Sequence, residues 1–455
     1  MMKKNLSPIE EAYFKVITLK VADLIKKVRK FHRTKDEITL PPPVLPMRAA
    51  SQKQACRLIK ERASLFNEVG IYIHLPFCSY RCAFCNYTTA VKPTDAFINK
   101  YLNALKNEIE LMMELLGRNS LPTNSIYIGG GTPTYLSKRQ IKDILGFIFK
   151  KTTTPEDIEI TFEASPETLT AEKIDVLLEN KVNRLSIGFQ VFENRLLRFM
   201  NRKHSVARSI SAFKLARKRG FKNIDIDLIY GLPGQSMEDW QHSLDEVIKL
   251  RPTSIYTYHL FLGYGSKWYS IFRKKKECPI KNLALSALAI DKLSKAGYIQ
   301  KSLYRFILPS EYPFQKRSFM DQLHKLAFGA SGRSRIDDLI YINHRSIANY
   351  IDYVAKGKIP ISKIRVLNIN DKIALNIFNA AERFSLNKNV FSNQFGFSIE
   401  DILGEPLAKL EELSLITDTS SSINLTYKGI IFLQELWTYY FLKYIRLYLQ
   451  DKKIS

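Results

Sequence analysis

The chain has 455 residues, with 69 lysines and arginines against 44 aspartates and glutamates, and therefore a formal net charge of +25. Hydrophobic residues make up 45% of it, which excludes a disordered basic tail, and the length allows two or three domains with full cores. No secretory signal is visible at the N-terminus, and charged residues interrupt the apolar stretch from Ile430, so we expect no membrane span.

Four regions follow one another along the chain. Residues 1–68 are typical of a basic helical extension with a Pro-rich spacer at 40–46. Residues 69–265 contain six strand-then-helix units, which predict parallel strands joined by right-handed crossovers. Residues 266–365 are mixed, and residues 366–455 follow the pattern of a small winged-helix-like domain. The predicted fold class is α/β, a partial (β/α)6 barrel, whose chemistry lies at the C-terminal ends of the strands.

Positive charge gathers in three runs, near the N-terminus, at 214–222 and at 273–276. Such runs suit nucleic acid, an anionic membrane surface or a polycarboxylate substrate, but they are also typical of solvated helix faces. We favour solvated faces because no run is interleaved with a base-reading motif, and we expect no nucleic-acid partner.

The strongest chemical signal is the spacing C-x3-C-x2-C of Cys78, Cys82 and Cys85, directly after the first barrel strand. With Cys56 and Cys278 the chain has five cysteines, an odd count that makes a poor disulfide framework and indicates a reducing compartment, the cytoplasm. Three thiolates in a tight loop suit three irons of an iron–sulfur cluster and leave one iron open. A zinc site is the alternative, which we disfavour because zinc usually takes four ligands in paired groups.

These cysteines and the segments YIHLPFC, GGGTP, EASPE, RLSIGFQ and DLIYGLPGQ resemble the radical S-adenosylmethionine (SAM) superfamily. Within it, they resemble the branch of oxygen-independent coproporphyrinogen dehydrogenase and the related heme chaperone. The resemblance implies a radical SAM barrel in which the three cysteines hold a [4Fe–4S] cluster. SAM chelates the open iron, and an electron from the cluster releases a 5′-deoxyadenosyl radical. An acidic electron donor such as flavodoxin or ferredoxin is the expected partner.

The same resemblance implies contacts to SAM, and the chemistry of the residue types suits that role. Glycine backbone lacking Cβ atoms can approach the methionyl group closely, and a carboxylate can accept hydrogen bonds from an ammonium or a ribose hydroxyl. In the coproporphyrinogen enzyme, the residues that match Gln190, Arg202 and Asp227 touch a second SAM, so we expect one SAM molecule or two. We assign no catalytic residue. The full set of expected cofactor contacts is Tyr72, Phe84, Gly130, Gly131, Thr132, Glu163, Gln190, Arg202, Asp227 and Tyr258.

Two departures from the pattern bear on the reaction. Asn86 and Tyr87 stand where the coproporphyrinogen enzyme carries an extra cysteine, and the segment before FGAS lacks the histidine and tryptophan of the chaperone's heme motif. We therefore favour a radical SAM enzyme acting on an organic substrate, a small molecule or a tetrapyrrole. Two-SAM C-methylation is one form of this reaction, because methylases of that type need no heme ligand. The alternatives are oxidation like that of the coproporphyrinogen enzyme and a cluster-bearing heme chaperone, so a methyltransferase and an oxidoreductase both stay open.

Overall fold

The computed structural model describes residues 47–272, 279–309 and 324–436. The expected N-terminal helices and the Pro-rich spacer before residue 47, as well as Cys278, lie outside these residues. Two short elements precede the barrel, namely strand β1 (Arg48–Ala49) and helix α1 (Gln52–Lys60).

The barrel region alternates strands and helices as the sequence predicts. Its elements are, in chain order, Val69–Leu75 (β2), Phe77–Cys78 (β3), Ala90–Val91 (β4), Asp95–Leu116 (α2), Leu121–Gly130 (β5), a 3-10 turn at Pro133–Tyr135, Lys138–Lys151 (α3), Thr152–Thr153 (β6), Glu159–Ala164 (β7), Ala171–Glu179 (α4), Arg184–Gln190 (β8), Asn194–Phe199 (α5), Val206–Arg219 (α6), Asn223–Tyr230 (β9), Met237–Leu250 (α7) and Ser254–His259 (β10). Strands β2, β5, β7, β8, β9 and β10 are neighbours in this order, and every pairing among them is parallel. Their C-terminal ends therefore meet at one edge of the sheet.

Burial on both faces explains why strand β2 is almost continuously apolar. In β2 six of seven residues are buried and the seventh is half-buried, which is typical of parallel strands covered by helices on one side and a packed interior on the other. Helix α3 shows how the outer layer forms. Ser137 and Gln140 make a capping box at its start, and Ile141, Ile144 and Leu145 lie on its buried face.

The region after β10 extends the sheet at both edges. Its elements are Lys267–Phe272 (α8), Pro279–Lys295 (α9), Ile299–Gln300 (β11), Arg305–Ile307 (β12), Lys325–Phe328 (β13), Arg333–Ile336 (β14), Leu339–Asn343 (β15), Ile347–Ala355 (α10) and Ile361–Val366 (β16). Strand β12 pairs antiparallel with β10, while β13 pairs parallel with β2 and leads on through β14, β15 and β16 to β1. The described sheet thus ends at β1 and at β11, which do not pair, so the predicted partial barrel is confirmed.

A buried carboxyl group joins this extension to the barrel. Glu108 of α2 accepts hydrogen bonds from the Tyr350 hydroxyl at 2.6 Å, from the Gly329 backbone at 2.8 Å and from the Asn343 side chain at 2.6 Å. All three donors belong to the extension. Loss of Glu108 would leave these buried donors without this acceptor, which costs free energy. The contact therefore fixes how β13 and α10 lie against α2.

The C-terminal elements follow the order of a winged helix. They are Ile369–Glu382 (α11), Ser385–Asn387 (β17), Lys388–Phe395 (α12), Glu400–Glu412 (α13), Ile416–Asp418 (β18), Ser422–Leu425 (β19) and Tyr427–Leu436 (α14), and the three strands form a small separate sheet. Helix α13 carries five acidic residues and one lysine, a charge that repels nucleic-acid phosphates. None of the described helices is long and apolar enough to cross a membrane. The boundaries at 68, 265 and 365 stay predictions.

Candidate active site

A cleft of about 440 Å³ opens where the barrel strands end. Of the thirteen residues that the sequence singles out for the cluster and SAM, twelve line this cleft. They are Cys78, Cys82, Phe84, Cys85, Gly130, Gly131, Thr132, Glu163, Gln190, Arg202, Asp227 and Tyr258. The volume is within the range of sites that hold one small ligand.

Tyr72 is the residue that the structure does not bring to the cleft wall. Its ring packs on Tyr127 of the neighbouring strand with centroids 5.9 Å apart, and its hydroxyl lies 3.2 Å from Nδ1 of His74. Tyr127, not Tyr72, lines the cleft. The rings of Tyr72 and Tyr127 lie on the same side of the sheet, but only that of Tyr127 lines the cleft. This geometry therefore gives no support to the expected direct contact of Tyr72 with SAM.

The cysteine loop begins in β3 and is held by backbone hydrogen bonds. Lys92 donates to the carbonyl of Cys78 at 2.9 Å, and Ala83 donates to that of Met200 at 3.0 Å. Burial raises the pKa of Cys78 to about 12, and burial likewise raises the pKa of Cys85. Without a cation the two thiols therefore stay protonated, whereas a bound metal would deprotonate them.

The three thiols of the cysteine loop line one common space. Among the described residues, no three side chains of His, Cys, Asp or Glu lie close enough to hold a single ion. A cluster binds each thiolate to a different iron, so its ligands stand farther apart around one space. Cys78, Cys82 and Cys85 all line the same cleft, which fits the expected cluster.

The glycine run after β5 brings its backbone against the cysteine loop. A Cβ atom on Gly131 would lie 2.7 Å from the carbonyl oxygen of Phe77 and 2.9 Å from Sγ of Cys78. Gly130 has φ +119°, where side chains other than hydrogen are strained, and its N–H donates to Glu163 at 3.0 Å. Thr132 places its hydroxyl 3.6 Å from Sγ of Cys78. The run therefore fills the space next to the cluster loop with backbone alone.

Two half-buried carboxyl groups face the cleft from strands β7 and β9, which lie on either side of β8. Glu163 accepts hydrogen bonds from the Tyr127 hydroxyl at 2.7 Å and from Gly130, and Asp227 accepts one from Ser186 at 3.1 Å. Burial, then the charges of Glu163 and Asp225, raise the pKa of Asp227 to about 8, and burial raises that of Glu163. A cationic or hydroxyl-bearing ligand would relieve this repulsion, so the pair suits an ammonium group or a ribose.

Arg202 connects the cleft to the cysteine loop. Its Nη1 donates to Sγ of Cys82 at 3.5 Å, and its Nη2 donates to the carbonyl of Gly188 at 2.6 Å and to the hydroxyl of Ser165 at 3.3 Å. Its Nε is buried with no partner among the described residues. The guanidinium therefore sets a positive charge beside the Cys82 thiol, an expected cluster ligand, and keeps one donor for a further group in the cleft.

The residues that surround Arg202 were not predicted from the sequence. Glu167 accepts hydrogen bonds from Ser165 and pairs with Nδ1 of His204 at 3.1 Å. Burial opposes the ionisation of Glu167, but His204 and Arg202 outweigh it and lower its pKa to about 2. The segment EASPE contains Ser165 and Glu167, so a second acidic residue in that segment was the available signal.

Gln190 and Tyr258 complete the wall on the far strands. Gln190 ends β8 after a bulge and has φ +74°, a strained backbone for this residue type and typical of functional sites. Tyr258 stacks on Tyr256 with centroids 5.6 Å apart and packs on Tyr304 at 5.4 Å. The ring of Tyr258 thus belongs to an aromatic row rather than standing alone.

Comparison with known proteins identifies the barrel. Residues 72–247 match the family described as the radical SAM superfamily. The chain carries a radical SAM domain. The domain implies a [4Fe–4S] cluster and SAM, and the residues of the cleft fit both: three thiols, a glycine-rich backbone without side chains beside them, and an arginine with a free donor.

Curated proteins similar to most of the chain include a heme chaperone and a coproporphyrinogen III oxidase. The heme chaperone HemW of Bacillus subtilis (strain 168) is 29% identical over 79% of this chain and 95% of its own length. The oxygen-independent coproporphyrinogen III oxidase of Escherichia coli (strain K12) is 27% identical over 81% of this chain and 84% of its own. The solved structure of the coproporphyrinogen III oxidase HemN from Escherichia coli matches with a TM-score of 0.77 and 25% identity, over 88% of this chain and 96% of that one.

Proposed function

We propose that this chain is a radical SAM enzyme that oxidises a tetrapyrrole-class substrate. Cys78, Cys82 and Cys85 would hold the [4Fe–4S] cluster, and SAM would bind between the glycine run and Glu163. The observation that carries the proposal is that twelve residues, from six segments of the sequence, line one cleft at the ends of the strands. The bound cluster and SAM would supply a 5′-deoxyadenosyl radical, which abstracts a hydrogen atom from the substrate.

The chain's own residues bind and orient these groups. The Arg202 guanidinium offsets the negative charge of the thiolate ligands, and Gly130 and Gly131 let the backbone after β5 pack directly against the cysteine loop, so that SAM bound along this backbone would lie next to the thiolates. Glu163 and Asp227 accept hydrogen bonds from the ammonium and hydroxyl groups of a ligand. The buried floor of the cleft, with Tyr127 and Ser186, keeps water from the site where the radical would form.

Aromatic side chains support a large, ring-shaped substrate. Seven of the residues lining the cleft are aromatic: Tyr80, Phe84, Tyr87, Tyr127, Tyr258, Phe261 and Tyr304. Tyr87 is 64% exposed and Phe261 is 36% exposed, so both lie toward solvent. Because SAM alone would occupy much of 440 Å³, we place the macrocycle at this aromatic rim.

The form of the reaction rests on the relatives. The coproporphyrinogen oxidases cover most of this chain, and none of the relatives cited above is a methylase, so the comparisons give two-SAM C-methylation no support. A second SAM at Gln190, Arg202 and Asp227 stays a prediction. We place the reaction in the cytoplasm because oxygen and an oxidising compartment would damage an open cluster.

The test is an anaerobic assay of the reconstituted chain. With dithionite, SAM and coproporphyrinogen III, we expect 5′-deoxyadenosine and a decarboxylated, oxidised tetrapyrrole. The Cys82→Ala variant, prepared in parallel, should yield neither product. S-adenosylhomocysteine formed together with a methylated product would show that the reaction is methyl transfer and not oxidation. If the wild-type chain with a full cluster formed no 5′-deoxyadenosine, the proposal that it is an enzyme would be refuted.

A heme chaperone is the second candidate function. It is favoured by the relative from Bacillus subtilis, whose match spans 95% of that protein. The departures at Asn86 and Tyr87 also weaken the coproporphyrinogen oxidase alternative, since that enzyme carries a cysteine there. Stable heme binding together with no consumption of SAM would favour this candidate over the enzyme.

A further inference from the structure

The outer side of the cysteine loop is covered by two segments that are bonded to it. Asn201 donates to the carbonyl of Arg81 at 2.8 Å, and the backbone N–H of Trp268 donates to that of Ala83 at 2.9 Å. Arg81 donates in turn to the carbonyls of Cys85 at 3.3 Å and Gly265 at 3.1 Å. Residues 79–92, 194–203 and 261–272 thus form one surface over the loop, which we name the loop-facing surface.

Charge on the loop-facing surface has one sign. Besides Arg202 of the cleft, its three segments contain six exposed lysines and arginines, and they contain no aspartate or glutamate. Arg195 pairs with Asp239 from α7, but the ion pairs of the described residues include none for Arg198, Lys203 or Lys267, which are all exposed. The loop-facing surface is therefore locally positive next to the cysteine loop, where it attracts an anionic surface.

Aromatic rings lead from this surface toward the cluster. Phe199 is 44% exposed, and its ring centroid lies 4.9 Å from that of the buried Trp268. Trp268 lies 6.2 Å from Phe84, which stands between Cys82 and Cys85 and lines the cleft. The three packed rings form a continuous path from the surface to the cysteine loop. Trp268 is only 3% exposed, so water does not separate the rings at this point.

We propose that the loop-facing surface is the docking site of an acidic electron-carrier protein, and that Phe199 and Trp268 lie between its redox centre and the cluster. This inference rests on the proposed function, which needs one electron for each SAM cleaved. The carrier is oxidised by one electron and the cluster is reduced by that same electron, so no bond or proton changes in the transfer. Carboxylates on the carrier would meet Arg198, Lys203 and Lys267 around an apolar centre of Phe199 and Ile271.

Charge reversal tests the docking site. In the reconstituted chain, the loss of iron–sulfur absorbance on mixing with reduced flavodoxin measures the rate of cluster reduction in a stopped-flow instrument. We expect the double variant Arg198→Glu with Lys267→Glu to slow this second-order rate about tenfold or more at low salt, since steering by charge is worth about 10- to 1,000-fold. The difference should shrink as salt is added.

A matched control reverses two charges elsewhere. Lys150 and Lys218 are exposed near the C-terminal ends of α3 and α6, which lie at the opposite edge of the barrel from the cleft. The double variant Lys150→Glu with Lys218→Glu should be reduced at the wild-type rate. The variant Phe199→Leu should keep the salt dependence and slow the transfer at saturating carrier.

Dithionite separates failure of this inference from failure of the proposed function. All variants should be reduced by dithionite and cleave SAM at the wild-type rate, because that reductant needs no docking surface. If dithionite supports cleavage but the Arg198 and Lys267 variant is reduced by flavodoxin as fast as the wild type, the docking site is wrong. A wild-type chain that neither flavodoxin nor ferredoxin reduces would also overturn it. If dithionite did not support cleavage of SAM by the wild-type chain, the proposed enzymatic function would be refuted instead.

Discussion

Replacing Gly131 by alanine tests whether the glycine run must lie against the cysteine loop. The added Cβ would be 2.7 Å from the carbonyl oxygen of Phe77, 2.9 Å from the Phe77 nitrogen and 2.9 Å from Sγ of Cys78. Ordinary contacts begin near 3.4 Å, so the backbone at Phe77 must move by 3.4 − 2.7 = 0.7 Å and the sulfur by 3.4 − 2.9 = 0.5 Å. These atoms have little freedom, because the N–H groups of Gly131 and Thr132 bond to the carbonyls of Leu75 and Phe77 at 2.9 and 2.7 Å.

The size of the effect follows from this geometry. Overpacking of a site that cannot open costs about 1–3 kcal/mol, so we expect the Gly131→Ala variant to unfold at a lower denaturant concentration than the wild type. A displacement of about half an ångström is also enough to misalign a metal ligand, so cluster content should fall. The assays are denaturant unfolding of the chain before reconstitution, followed by circular dichroism, and iron and sulfide content per chain after anaerobic reconstitution.

Gly146→Ala is the matched control. Gly146 lies inside helix α3, and a Cβ there would meet nothing within 4 Å. Alanine in a helix interior is favoured over glycine by about 0.5–1 kcal/mol, so this variant should be slightly more stable and hold a full cluster. If Gly131→Ala matched Gly146→Ala in both stability and iron content, the argument from close approach would be refuted.

Three further predictions concern single side chains of the cleft. Cys82→Ala should lose the iron–sulfur absorbance and the iron, whereas Cys56→Ala, outside the cleft, should keep both; retained iron in the first would contradict the ligand assignment. Arg202→Met should lower the reduction potential of the cluster in a titration followed by electron paramagnetic resonance, and Arg202→Lys should lower it less, because the charge beside Cys82 is removed in one and kept in the other; equal potentials in all three chains would speak against the contact. Burial and the charges of Glu163 and Asp225 raise the pKa of Asp227 from 3.8 to about 8, so its stabilising contribution is complete below the unfolded pKa and is lost as the pH rises through the folded one. Asparagine cannot ionise, so the denaturant midpoint of Asp227→Asn should rise relative to that of the wild type as the pH increases from about 4 to about 8. A difference between the two midpoints that does not vary with pH would show that the pKa of Asp227 is not raised.

Local patterns explain why much of the barrel and its cluster loop could be predicted. Six apolar strands alternating with amphipathic helices leave few other topologies, since crossovers between parallel strands are right-handed and neighbours in sequence pair. The cysteines lie within eight residues, so their chemistry needs no distant partner to be seen. Parallel strands in a partial barrel were predicted for these reasons, and the parallel pairing of β2, β5, β7, β8, β9 and β10 confirms them.

Contacts between segments far apart in the sequence could not be predicted from local patterns. Nothing local indicates that β13 pairs with β2, or that Glu108 accepts hydrogen bonds from residues 329, 343 and 350. Tyr72 looks equivalent to Tyr127 as an aromatic residue in a strand, and only packing decides which ring lines the cleft. The hydrogen bond of Arg202 to Ser165, which in turn bonds to Glu167, likewise joins two loops that are far apart in sequence.

The sequence by itself determined the kind of chemistry, a three-cysteine cluster loop at the head of a strand-and-helix barrel, because spacing and periodicity are properties of short segments. Only the tertiary structure decided which residues share the cleft, since the ends of parallel strands converge only after the sheet has formed. It also decided that segments 79–92, 194–203 and 261–272 present their positive charge on one face beside the cluster loop. Such a face depends on burial and pairing across the whole chain, and no single segment contains it.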